Sequence, residues 1–152
     1  MAYFNYPILI LFLLTMQSLH AETYQESIKC LTDTIYHEAR GESLAGQKAV
    51  AMTVINRVKH PEFPDSICSV VYQPKQFSWT TQKLKIRNSE MYRKITKLAH
   101  IMYSNYYIHQ IVDDAMKKYK SVTFFQISKR MRNKRLEYIG KIGNHNFWKI
   151  RT

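Results

Sequence analysis

Residues 35–42, IYHEARGE, gather two carboxylates (Glu38 and Glu42), an imidazole (His37) and a guanidinium (Arg40) into eight positions. Three kinds of chemistry could use such a group: metal ligation, nucleophilic attack directed by a base, or proton transfer from a carboxylic acid. A solvated helix end would carry the same residue types with no chemistry at all.

The metal reading fails on spacing. A zinc-protease helix needs two histidines four residues apart, so that both face one ion. Gly41 stands where the second would be, and neither His60 nor His100 has a local partner. No metal site is expected, and no cofactor. Nucleophilic catalysis has no GxSxG elbow to support it. A Cys–His pair stays open, although Cys30 and Cys68 have a simpler use as a disulfide. Carboxylate chemistry remains. Glu38 lies three residues after Ile35, which puts it beside the helix's apolar stripe. A partly desolvated carboxyl there keeps its proton closer to neutrality and can act as a donor. Glu42, at or past Gly41, reads as a surface or supporting residue, and Arg40 could pair with either acid.

The elements that must position these groups follow from periodicity. Ile28, Leu31, Ile35 and Ala39 repeat at helical spacing, and Gly41 ends that helix. A second stripe, Ala51, Val54, Ile55 and Val58, follows Ser43, a candidate N-cap, and stops at Pro61 and Pro64. The short run ICSVVY fits strand or helix equally. QPKQFSWTTQ reads as a polar and aromatic loop. From Ser89 a third helix carries Met91, Ile95, Leu98, Met102 and Tyr106 on one face. SVTFFQIS has the β-branched and aromatic content of a strand, and IGKIGNHNFW closes the chain through a turn. The expected fold is mainly α, a helical domain with a small antiparallel β-sheet.

Composition bounds the rest. The chain has 152 residues and 45% apolar content, enough for one domain with one core. Four glycines and four prolines exclude a fibrous or disordered chain. Residues 1–21 contain no Asp, Glu, Lys or Arg, and residues 7–16 are almost wholly apolar, too short a run to span a bilayer. They read as a secretory signal peptide ending at Ala21, or an uncleaved anchor through residues 7–16, ahead of a catalytic domain over 22–152. The expected location is the periplasm or the exterior. Two cysteines in an exported chain suggest the Cys30–Cys68 disulfide. Charge is split: residues 1–82 hold six Lys/Arg against seven Asp/Glu, whereas residues 83–152 hold seventeen against four. Such a half seeks polyanions, and in an exported protein these are anionic cell-envelope polymers. A nucleic-acid partner lacks any recognisable motif here and is not expected.

The stretch from Ile35 to Thr80 resembles the spore cortex-lytic, SleB-type cell-wall hydrolase family. The family pattern of EARGE, a linker, GQ-x-AVA, NRV, a Pro-containing segment, V and QF occurs here in order, and IGNHNFW resembles its closing IG-x-H-x-F. Between Gln82 and Lys141 the likeness is faint, and SVTFFQ lacks the histidine that family members often carry there. The resemblance implies a lysozyme-like domain that cuts the glycan strands of peptidoglycan, with Glu38 as catalytic acid. It also makes the loop Gln76, Phe77, Ser78 and Trp79 a candidate substrate cleft, with His145 as a further candidate. No second carboxylate has supporting pattern, since Glu42, Glu62 and Asp65 are candidates by type only. A lytic transglycosylase is therefore expected ahead of a muramidase, acting as a monomer. Its rivals are a non-catalytic envelope-binding module of the same fold and a basic nucleic-acid-binding protein.

Overall fold

The computed structural model describes residues 21–82, 84–112 and 114–151; the expected signal segment, apart from Ala21, lies outside them. Helix α1 (Tyr24–Ala39) opens with a capping box. Thr23 Oγ1 accepts from Glu26 N at 3.2 Å, and Thr23 N donates to Glu26 Oε2 at 2.8 Å. Its stripe of Ile28, Leu31, Ile35 and Ala39 is buried as the spacing requires. Helix α2 (Leu44–Val58) is capped by Ser43, whose Oγ accepts from Gly46 N. It runs through the middle of the core: Ala49, Val50, Ala51, Met52, Val54 and Ile55 are buried on every side. A helix apolar all round can only sit inside.

The ambiguous run ICSVVY becomes the short helix α3 (Ile67–Val71), capped by Ser66. Cys68 on α3 is bonded to Cys30 on α1, with Cα atoms 5.4 Å apart. Helix α4 (Ser89–Ile101), capped by Asn88, packs on α1. Its apolar stripe continues past Met102, but residues 102–108 (Met102–Ile108) widen into a π-helical turn. That turn delivers Tyr106 to the core, where its hydroxyl donates to Asn56 Oδ1 at 2.6 Å.

Three strands, β1 (Val122–Gln126), β2 (Leu136–Ile142) and β3 (His145–Ile150), form a sheet in the order β1-β3-β2. Both outer strands are antiparallel to β3, so residues 127–135 must cross over β3 to connect them. The outer face of β3 shows where the crossing runs: Asn146 Nδ2 donates to Ile127 O at 2.8 Å, and Tyr138 stacks edge-on to Trp148. Trp148 is thereby buried away from the main helical core. The inner face carries Phe147, fully buried against Tyr119 and Phe125. Two adjacent side chains of α2 bind the sheet to the helices. Asn56 Nδ2 donates to Val122 O at 2.6 Å, and Arg57 Nε donates to Thr123 O at 2.6 Å. Among the described residues no helix is long and apolar enough to cross a membrane.

Candidate active site

Glu38 occupies the last turn of α1, half-buried, with fully buried Ala39 beside it. Burial pushes its carboxyl above the ordinary value, the state a proton donor needs; the Trp79 indole N–H works against this by favouring the charge. That N–H approaches Glu38 without reaching full hydrogen-bond geometry, and Trp79 Nε1 is buried with no hydrogen-bond partner among the described residues. The indole is therefore an unspent donor beside the acid.

Trp79 sits on a 3-10 turn (Ser78–Thr81), and its surroundings are aromatic. His37 stacks on it with ring centroids 4.9 Å apart, and Phe77 lies beneath at 6.1 Å. Burial holds the His37 imidazole below its usual pKa against the pull of Asp33, with Arg40 and Lys29 adding to the depression. Of the loop residues singled out by sequence, Phe77 faces the core, Gln76 is half-buried and Ser78 is exposed. Phe77 bridges outward to Phe125 at 6.2 Å, and Phe125 meets His145 edge-on at 5.2 Å. His145 is buried, and its Nδ1 has no hydrogen-bond partner among the described residues. Burial depresses the His145 pKa, while the Glu42 carboxylate 3.9 Å away opposes the shift.

Glu42 was underestimated by sequence reasoning. Its side chain is only 10% exposed. Both carboxylate oxygens accept from Asn144, in the turn between β2 and β3: Oε2 from the backbone N at 3.1 Å and Oε1 from Nδ2 at 2.9 Å. The turn is shaped around it. Gly143 has φ +55, and a Cβ there would stand 1.7 Å from Glu42 Oε2. The only signal in the sequence was the repeat of glutamate at the two ends of EARGE.

Arg57 entered the sequence reading only within the NRV piece of the family pattern, with no role attached. It is 2% exposed and boxed by the rings of Phe63, Phe77 and Phe124 at 5.4, 5.8 and 5.3 Å. Burial drives its pKa down to about 10. Its contact with Phe77 supports the ring on which Trp79 rests.

A cavity of about 340 Å³ opens on the solvent side of Trp79 and His37, lined also by Asp33, Thr80, Gln82 and Tyr92. Asp33 accepts from Tyr92 Oη at 2.6 Å and from Lys29 Nζ at 2.6 Å, so its charge is already engaged. Glu38 lines neither this cavity nor a separate one of about 750 Å³ that surrounds the disulfide away from Trp79. Among the described residues no cluster of His, Cys, Asp and Glu could hold a metal ion.

Fold and site together define a class: a small helical domain with a three-stranded antiparallel sheet, presenting a half-buried glutamic acid against a tryptophan. The chain belongs to the cell wall hydrolase family, whose model matches residues 41–148. That match begins just past Glu38, so it carries the family and not the role of this glutamate. Spore cortex-lytic enzymes of Halalkalibacterium halodurans and Bacillus subtilis are each 41% identical over 51 residues, 34% of this chain. Those residues cover 16% and 17% of the two enzymes, so the chain matches only a small part of these relatives. The catalytic domain of the germination-specific lytic transglycosylase SleB from Bacillus anthracis shares the fold. Its TM-score is 0.60 at 23% identity, over 86% of this chain and 98% of that one. The Bacillus cereus SleB catalytic domain gives 0.60 at 24%, over 84% and 93%.

Proposed function

We propose that the protein cleaves the glycan strands of peptidoglycan as a lytic transglycosylase, with Glu38 as its single acid and base. The observation that carries this reading is the Glu38 carboxyl itself: half-buried, raised in pKa, and facing an indole N–H with no other partner.

The other acids near the site support a one-carboxylate route. Asp33 is held by Lys29 and Tyr92, and Glu42 by Asn144. Both are already engaged by these contacts, which favours one carboxylate over the pair a two-carboxylate glycosidase uses. The substrate can supply its own nucleophile. Glu38 gives its proton to the glycosidic oxygen as the C1–O bond breaks. The muramic acid 6-hydroxyl then attacks C1, forming the C1–O6 bond, and its proton returns to Glu38. The product is a 1,6-anhydro sugar, and the acid is regenerated. Trp79 assists by favouring the carboxylate that exists between the two transfers.

Binding to anionic cell-envelope polymers is proposed for the crossover over β3. Residues 127–135 hold Lys129, Arg130, Arg132, Lys134 and Arg135, with no acid among them. Only Arg135 has an acidic partner among the described residues, Glu62. Export to the wall compartment is part of the same proposal.

The test is digestion of peptidoglycan by wild type and Glu38→Gln, with mass spectrometry of the products. Wild type is expected to release anhydro-muramic ends, and the variant to lose about 10²-fold or more in rate. Reducing ends in place of anhydro ends would replace transglycosylation by hydrolysis. Equal digestion by both proteins would remove Glu38 from the chemistry.

A further inference from the structure

A second cavity, about 500 Å³, joins the one beside Trp79. The two share His37 and Leu84, so they form one groove running past the end of α1. Its two arms differ in chemistry. The arm beside Trp79 is aromatic and amide-lined, with an engaged acid, and suits a sugar ring. The other is lined by Tyr36, His37, Arg40, Leu84, Lys85 and Arg87: three cations and no carboxylate.

These cations are placed by the fold. Tyr36, itself buried, organises two of them. Its carbonyl accepts from Arg40 Nη1 at 3.3 Å, and its ring lies 5.2 Å beneath the Arg40 guanidinium. Its hydroxyl accepts from Arg87 N at 3.2 Å and Asn88 N at 3.0 Å, pinning the segment that carries Lys85 and Arg87 across the groove from Arg40. None of the three has an acidic partner among the described residues. Three like charges gathered around one concavity repel one another unless an anion enters it. Guanidinium groups suit a carboxylate in particular, since their forked donors match its two oxygens.

Resting on the lytic reading of Glu38, we infer that Arg40, Lys85 and Arg87 form a subsite for a carboxylate carried by the glycan strand. On peptidoglycan such carboxylates belong to the peptide stems attached to muramic acid. Glu38 lines neither arm; the subsite lies along the groove from Trp79, whose indole neighbours Glu38, so it selects strands whose stems are still present.

Binding tests this separately from cleavage. Protein bearing Glu38→Gln, which leaves the polymer intact, is co-sedimented with insoluble peptidoglycan. The same protein with Lys85→Gln and Arg87→Gln added is compared with it. The two extra substitutions are expected to weaken binding about tenfold, two partly screened ion pairs' worth. Peptidoglycan whose carboxyls have been converted to amides should bind the parent just as weakly, and the extra substitutions should then change nothing. Lys117→Gln with Lys118→Gln removes equal charge from the 3-10 helix Asp114–Tyr119, outside this groove, and should leave binding within twofold. Equal affinity of parent and variant on untreated polymer overturns the subsite. So does an equal loss with the Lys117/Lys118 control, which would mark a general charge effect. If stripping phosphate polymers with hydrofluoric acid abolishes binding while amidation does not, the ligand is a phosphate and the carboxylate assignment is wrong. Cleavage by the wild type is scored independently, so failure of the lytic reading and failure of the subsite give different results.

Discussion

Glu42 and Asn144 lie 102 residues apart in sequence and are joined by two hydrogen bonds, one to each carboxylate oxygen. This contact ties the end of the helix that carries Glu38 to the turn between β2 and β3. It thereby fixes where β3, with His145 and Phe147, sits against the aromatic row from Phe125 to Trp79. Glu42→Ala is expected to cost about 1–3 kcal/mol of stability, because charge-assisted bonds in a largely buried place are lost. Cleavage should fall with it. Gly143→Ala should cost at least as much, through both its φ of +55 and the clash with Glu42. In the double variant the clash is absent, so its loss in urea unfolding should be smaller than the sum of the two separate losses.

The pH profile should report Glu38. On the proposed route cleavage begins with its protonated form, so the rate is expected to fall as pH rises through its elevated pKa. Trp79→Phe keeps the ring and removes the N–H that favours the carboxylate. The Glu38 pKa should then rise further, and the alkaline limb should move to higher pH. A limb that moves down, or stays fixed, contradicts the assigned contact.

Stability should carry the same signature with its own sign. A carboxyl whose folded pKa lies above its unfolded value contributes stability that is present below the unfolded pKa and lost as pH rises through the folded one. Glu38→Gln stays neutral and should be more stable than wild type at neutral pH, the difference vanishing in acid. Thermal unfolding across that range measures it.

Arg57 is expected to matter as a packing element. Arg57→Ala empties the space between Phe63, Phe77 and Phe124 and leaves Thr123 O unpaired, at a cost of about 2–4 kcal/mol. Since Phe77 supports Trp79, the Trp79 fluorescence of the folded variant should change. An unchanged spectrum would separate Arg57 from the site.

The disulfide closes a separation of 38 residues. Loop entropy alone puts its contribution at about 4 kcal/mol. Paired Cys30→Ser and Cys68→Ser substitution should lower the urea midpoint accordingly, and reductant should do the same to wild type and nothing to the variant.

Much of this protein is local in origin. The stripe from Ile28 to Ala39, the caps at Thr23 and Ser43, and the prolines after α2 act over a few residues, so helical spacing alone places Glu38 beside buried neighbours. The same holds for Val122–Gln126 as a strand, read from β-branched and aromatic content. Other features had no local sign. ICSVVY is too short for its period to separate helix from strand, and α3 is settled by the burial of Ile67, Val70 and Val71 on one face, with Cys68 bonded to Cys30. The π-helical turn is set by where Tyr106 finds Asn56, a contact 50 residues away. Phe77 and Trp79 looked alike in QFSWT, and both are buried in the core, yet only Trp79 also turns its indole N–H toward Glu38. Glu42 read as a surface or supporting residue, and a glycine turn from the far end of the chain, closing over it, decided for support. Residue type and spacing therefore determined the helix and the placing of Glu38 on it, and the resemblance alone singled that glutamate out. Which groups stand across from that acid was decided by chain closure over distances that periodicity does not reach.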